Sequence, residues 1–388
     1  MTADTFLWGA ATSAHQTEGG NTNTDCWDLE HDPNGWMREP SGDACDSFHR
    51  WTEDMDLLAG AGFTDYRFSV EWARIEPAPG EVSRAALAHY RRMVDGALER
   101  GLRPMVTLHH FTSPRWFADA GGFARSDAAE CFQAYVAAAA PLLDGVAHVV
   151  TINEPNVAAW FATRRSMAIG HQDPRLVELD RDVVAGLTAA HRAGREQLHR
   201  DHPDLQVGWS IACVNAYDAE GSAGAAEEYA RSRQNCFVEV SADDDFVGVQ
   251  AYTRTRIAWV DGHAVRDEPE TARRTRNDWE WYPAAIGDAV ADVSRRVSSP
   301  VIVTENGIAT ADDDERIEYA TDALLSLQKA RADGADVRGY FHWSLLDNYE
   351  WGSYTPTFGL VAVDRTTFAR TPKPSLQWLG AQRPGEPT

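Results

Sequence analysis

"HVVTINEPN", residues 148–156, is apolar up to Ile152 and then presents Asn153, Glu154 and Pro155 in succession. An isolated glutamate after such a run is ordinarily the first polar residue of a surface loop. The run itself says more. It is nearly continuous in apolar residues and lacks the clean alternation of a strand with one wet face, so it suits a strand buried on both faces of a parallel sheet.

The same kind of run recurs along the chain. It appears at 6–12 (FLWGAAT), 65–72 (DYRFSVEW), 103–110 (RPMVTLHH), 206–212 (QVGWSIA), 245–252 (DFVGVQAY), 300–306 (PVIVTEN) and 337–344 (VRGYFHWS). Between the runs lie stretches with helical spacing. Phe48, Trp51, Met55 and Leu58 recur at that spacing after Asp46, a candidate N-cap, and Gly60 and Gly62 close the segment. Ile317, Ala320, Leu324 and Leu327 repeat it before Gly334. Similar segments occupy 84–100, 126–143, 176–200, 224–240 and 282–297, and a short one follows Pro374. Eight strands alternating with eight helical segments predict a single (β/α)8 TIM barrel of the α/β class, one catalytic domain over residues 1–388. An open doubly wound sheet is the competitor, but "WGAATSAHQ" after the first strand lacks its G-x-G-x-x-G phosphate loop.

Composition sets outer limits. With 43% hydrophobic and 24% charged residues the chain is that of a globular protein with a sizeable core. Its 36 basic and 59 acidic side chains leave a net charge of -23, which disfavours nucleic acid and anionic membrane surfaces as partners. No segment has the length of a membrane span, and the first residues lack a basic stretch followed by an apolar one, so a cytoplasmic location is expected. Cys26, Cys45, Cys131, Cys213 and Cys236 are odd in number, scattered, and show no CxxC spacing. They read as free thiols, with neither a disulfide framework nor a thiolate metal site.

A barrel delivers its chemistry at the C-terminal ends of its strands. Seven of the eight runs end in polar groups. They lead to His15, Gln16 and Glu18; to Arg67 and Glu71; to His109-His110; to Asn153-Glu154; to Gln250 and Tyr252; to Glu305-Asn306; and to Trp343, with Asp347, Asn348, Glu350 and Trp351 beyond it. Glu154 thereby gains a partner in Glu305. Two carboxylates across a barrel mouth are the acid and nucleophile pair of glycoside hydrolysis. Glu154 is expected to keep its proton through partial burial and the charge of Glu305, while Arg67 and the Tyr252 hydroxyl hold Glu305 ionised. When Glu305 becomes an ester that charge is lost, and Glu154 can serve as base toward water.

The remaining groups suit a sugar. Gln16 and Glu350 can take adjacent hydroxyls, Trp343 and Trp351 offer flat faces to a pyranose, and Asn153 can bond the sugar or orient its neighbour. His109 and His110 point to opposite faces of a strand, and no H-x-H or H-E-x-x-H occurs, so His110 reads as a hydroxyl partner and no metal is expected. No nucleotide cofactor and no G-x-S-x-G nucleophile elbow is indicated. Most of the 14 tryptophans read as core, Trp51 on a helix stripe and Trp209 within a strand among them.

With these residues in hand the chain resembles glycoside hydrolase family 1, the β-glucosidase and β-galactosidase family of retaining enzymes, over nearly its whole length. "FLWGAATSAHQTEG", "YRFSVEWARIEP", "PMVTLHHF", "TINEPN", "VTENG" and "WSLLDNYEW" followed by "FGLVAVD" carry the likeness. It implies Glu154 as acid/base and Glu305 as nucleophile, with Arg67 and Tyr252 supporting the latter. It implies sugar contacts at Gln16, His110, Asn153, Trp343, Glu350, Trp351 and Phe358. Glu350-Trp351 resembles the branch acting on unphosphorylated sugars. Three features depart from the family pattern. Gln250 and Ala251 stand where Asn-Tyr is common, "GSYTPTFG" is one residue short with Thr357 in place of an Arg, and the loops between Glu154 and Glu305 are short. Shorter loops predict an open aglycone side.

The expected activity is therefore a retaining exo-β-glycosidase acting on a small β-glucoside, β-galactoside or β-fucoside without a cofactor. A transglycosidase passing the sugar to an alcohol, and a non-catalytic sugar-binding barrel, are the alternatives. The oligomeric state is not legible in the sequence.

Overall fold

The computed structural model describes residues 6–166, 178–267 and 273–383. Eight parallel strands close a barrel: β1 (Leu7–Ala11), β2 (Asp65–Ser69), β3 (Arg103–His109), β4 (His148–Asn153), β5 (Gln206–Ala212), β6 (Val247–Gln250), β7 (Val301–Asn306) and β8 (Val337–Trp343). Each lies within one of the eight apolar runs. Every strand is hydrogen-bonded to its sequence neighbours, and β8 closes on β1 from Leu7 opposite Gly339 to Ala11 opposite Trp343.

Alternate strand residues serve two cores. Leu7, Met105, Val150, Ile302 and Phe341 fill the barrel, whereas Trp8, Val106, Val149, Val303 and Tyr340 meet the helices outside. This double burial is why the strand runs are almost continuously apolar. Trp209 faces outward as a core residue, stacked on His191 at 4.2 Å and donating to Ser241.

The helices follow the predicted segments with local differences. Ser47–Gly60, Arg84–Glu99, Ala285–Arg296, Asp313–Ala332 and Pro374–Gly380 are helical. The 126–143 segment is an α-helix only over Ala128–Ala139, and the 224–240 segment is broken by a π turn at Arg231–Asn235. The segment expected over 176–200 runs from Arg181 to Asp201, capped by Asp180; positions 176 and 177 lie outside the described residues. Asp46 occupies the N-cap position without capping. It is left-handed, and its carboxylate accepts from the His49 and Arg50 side chains.

Among the additions not legible in the sequence, two shape the cavity rim. A helix, Pro155–Ser166, starts immediately after Glu154, with the proline at the position where its missing N–H costs nothing. A three-stranded sheet of Ala216–Asp218, Thr255–Val260 and His263–Arg266 forms from the segments beyond β5 and β6. All five cysteines are free, as expected. Among the described residues no helix is long and apolar enough to cross a membrane.

Candidate active site

The pairing register slips beside both glutamates. On β4 the alignment with β5 shifts between Val150 and Asn153, and on β7 the alignment with β6 shifts between Val303 and Glu305. Such irregularities re-aim side chains next to the slip. After Val150 faces the barrel, Ile152 faces the helices, and Asn153 turns inward instead. Glu154 then adopts a φ of 43°, a conformation costly for a residue with a Cβ. Phe111 (φ 70°) and Trp351 (φ 44°), on the wall of the same cavity, share that left-handed backbone.

The cavity at the strand ends measures about 480 Å³. Gln16, His110, Glu154, Tyr252, Glu305, Trp343, Glu350, Trp351 and Phe358 all line it, so nine of the eleven residues singled out in the sequence converge there. Arg67 and Asn153 lie beneath the wall, fully buried. The Arg67 guanidinium donates to Glu305 Oε1 at 2.5 Å, to Asn153 Oδ1 at 2.5 Å and to Thr107 at 3.2 Å. Asn153 Oδ1 also accepts from Gln250 at 2.9 Å, and its Nδ2 meets His110 Nε2 at 3.3 Å. Of the two parts read for Asn153, its position suits the orienting one.

Burial pushes both catalytic candidates up, by unequal amounts. Glu305 lies beside the Arg67 charge and accepts from the Tyr252 hydroxyl at 2.6 Å, and both pull its carboxyl back down. On Glu154 burial is reinforced first by the Glu305 charge and less by Glu350, against the pull of Arg67, and its carboxyl stands well above the usual range. Of the pair, Glu154 is therefore the carboxyl that holds a proton more firmly and Glu305 the one more readily ionised. Glu350, held by Trp343 Nε1 at 3.2 Å, is also well above the usual range through burial and the Glu305 charge. Burial and the Arg67 charge drive His110 down, so its imidazole is neutral, and its buried Nδ1 has no partner among the described residues. That nitrogen is free for a hydroxyl. Gln16 is fixed by Ser13 at 2.7 Å and by the Tyr349 carbonyl at 2.8 Å.

Several lining residues were missed. Trp279 packs against Tyr252 and Phe358 at 5.5 and 6.2 Å, and Arg254 pairs with Glu280 at 2.7 Å. Val157, Val214 and Asn277 complete the outer wall. The only trace in the sequence is "DWEW" at 278–281, two tryptophans outside any strand. Gln250 was noticed as a departure from the family pattern; its amide fills the place beside Asn153.

A parallel barrel with an unequal pair of buried carboxylates at its mouth and aromatic faces around them defines a barrel glycosidase. Comparison with known proteins narrows this. The model of glycosyl hydrolase family 1 matches residues 2–256 and 239–382. The thermostable beta-glucosidase B of Thermobispora bispora is 32% identical, with 97% of this chain and 89% of that protein covered. The beta-glucosidase of Agrobacterium sp. is 31% identical over 98% of this chain and 95% of its own length. Among solved structures, beta-glycosidase BGL167 superposes with a TM-score of 0.90 at 40% identity, covering 99% of this chain and 98% of that one. The beta-glycosidase from Pyrococcus horikoshii gives 0.86 at 34%, covering 97% and 93%. The chain belongs to glycosyl hydrolase family 1. It is an O-glycosyl hydrolase, a retaining β-glycosidase built on a (β/α)8 barrel.

Proposed function

We propose that the chain is a cytoplasmic exo-β-glycosidase of β-glucosidase type, one catalytic domain over its whole length, needing no metal or cofactor for its chemistry. Glu154 protonates the leaving oxygen and Glu305 attacks the anomeric carbon. The observation that carries this is the unequal treatment of the two carboxyls: Arg67 and Tyr252 are hydrogen-bonded to Glu305, while on Glu154 burial and the Glu305 charge outweigh the pull of Arg67. Esterification of Glu305 removes the charge that raises Glu154, which then accepts a proton from water as the ester is hydrolysed. His110, Gln16 and Glu350 take the hydroxyls of the terminal sugar, and Trp343 and Trp351 its C–H face. Phe358 is a further sugar contact, and Trp279 packed beside it borders the passage to the aglycone. Asn153 holds Arg67 and His110 in register.

The test is Glu305→Ala on an aryl β-glucoside. Turnover is expected to fall by several orders of magnitude, and added azide to restore part of it with an α-glycosyl azide as product. Undiminished turnover in that variant sinks the reading. A panel of aryl glucosides, galactosides and fucosides then ranks the sugars.

A further inference from the structure

Behind Trp351 lies a buried cluster that the reaction does not use. Cys26 and Glu30 sit four residues apart on the Asp25–Glu30 helix, hence on one face of it, and His15 reaches them from the Ala14–Thr17 turn. One donor atom from each of the three lies within 4.8 Å of the others. His15 Nε2 meets Glu30 Oε1 at 2.5 Å, and Cys26 donates to the same oxygen at 3.6 Å. All three residues are buried.

The spacing fits a tetrahedral metal. Sulfur at about 2.3 Å and oxygen at about 2.0 Å from one zinc ion stand about 3.5 Å apart, the separation already present. His15 must retreat from Glu30 by less than about 1 Å to reach its own ligand distance. Its Nδ1 has no partner among the described residues, so Glu30 alone anchors the ring in-plane. The other Glu30 oxygen is fixed by the Ser41 N–H at 2.8 Å and hydroxyl at 2.7 Å, the kind of outer support that orients a ligating carboxylate.

Charge and access agree with the spacing. The carboxylates of Glu30, Asp25 and Glu71 bear on the Cys26 thiol, giving the pocket a negative field. A divalent ion held by one thiolate, one carboxylate and one neutral imidazole carries no net charge, which a buried site favours. Sulfur and imidazole donors select zinc over calcium or magnesium. Asp25, Cys26 and Trp351 line a second cavity of about 270 Å³, which brings open space to the Cys26 side of the cluster. The His15 ring lies parallel to Trp351, centroids 5.8 Å apart and planes 5° apart. Cysteine spacing could not reveal this site, because its ligands form a Cys-x3-Glu pair on a helix plus a distant histidine.

We propose that His15, Cys26 and Glu30 bind one Zn²⁺ ion, and that the ion displaces the His15 ring against Trp351 and weakens glycoside binding. The second half rests on Trp351 facing the sugar. On binding, the Cys26 thiol proton leaves to solvent as the metal–sulfur bond forms, and the His15 ring takes the tautomer that carries its proton on Nδ1 as Nε2 bonds the metal, so the imidazole stays neutral; no electron is transferred.

The metal-free full chain is titrated with ZnCl2 by calorimetry and, separately, with CoCl2 by absorption. One ion per chain and a thiolate-to-cobalt band in the near ultraviolet are expected. Zn²⁺ should raise KM for an aryl β-glucoside several-fold with little change in kcat. Cys26→Ser should abolish the band, weaken Zn²⁺ binding at least tenfold and remove the KM effect, with activity in the absence of metal unchanged. Absence of the cobalt band in the wild type overturns the site, whether or not Cys26→Ser folds. Equal Zn²⁺ binding by the two chains also overturns it, and bound Zn²⁺ with an unchanged KM overturns the coupling to Trp351. Neither metal titration depends on turnover, so failure here is distinguishable from failure of the catalytic assignment, which Glu305→Ala decides.

Discussion

The floor of the catalytic cavity and its outer wall are built on different terms. On the floor, Arg67 from β2, Asn153 from β4, Gln250 from β6 and Glu305 from β7 are joined by hydrogen bonds of 2.5 to 2.9 Å, with Tyr252 just beyond β6. Each side chain is held by at least one other, and each backbone by a barrel strand or its immediate end. The outer wall comes from loops and from the Pro155–Ser166 helix. Trp279 there is 38% exposed, and Arg254 is held by one partly exposed ion pair and the faces of Tyr217 and Tyr282. The floor therefore fixes where charge can develop, and the wall can vary without disturbing it.

The sharpest way to break this contrast is at Glu154. Glu154→Gln should lower kcat/KM on substrates with poor leaving groups by about 100- to 10,000-fold, the usual worth of a general acid. The sign of the pH dependence follows from its raised pKa. In the wild type the proton is retained above the ordinary glutamate range, and activity falls as pH rises through that raised value. With an activated aryl leaving group the variant should lose this alkaline limb, and a limb that persists assigns it to another group.

A smaller effect separates support from chemistry. Tyr252→Phe removes one hydrogen bond to an ionised group, worth about 1.5–3 kcal/mol, so kcat should fall by roughly 10- to 100-fold. The same loss frees Glu305 to rise, so the acid limb of the profile should move to higher pH. A change confined to KM contradicts the role given to Tyr252.

The wall should give the smallest response. Trp279→Ala removes an aromatic contact worth about 0.5–1.5 kcal/mol, so kcat/KM should fall about two- to tenfold for aryl glycosides and less for methyl glycosides. An equal loss for both aglycones, seen in a leaving-group panel, would move Trp279 from the wall to the sugar subsite.

The difference between floor and wall is also the difference between what was and was not legible. Glu154 and Glu305 could be paired because each ends an apolar run, and a parallel barrel brings all such ends to one face. Gln16, His110 and Trp343 followed by the same rule. Trp279 sits in a loop whose path no periodicity describes, and the sheet that includes Thr255–Val260 carries no pattern distinct from an ordinary loop. Asn153 was legible as a site residue but not as a buried one: its inward turn comes from a register slip between Val150 and Asn153, which strict alternation cannot foresee. Asp46 looked like a helix cap by residue type, yet its left-handed backbone turns the carboxylate to His49 and Arg50.

By itself the amino-acid sequence determined the barrel, the face on which chemistry occurs and the two carboxylates, because hydrophobic periodicity and strand-end polarity are local properties of a chain. Only the tertiary structure decided which polar groups line the cavity, which brace it from below, and which charges and hydrogen bonds each carboxyl meets there. It alone joined His15 to Cys26 and Glu30. Those are matters of burial and of neighbours far apart in sequence, and an electric field in a buried pocket is the sum of charges that only folding brings together.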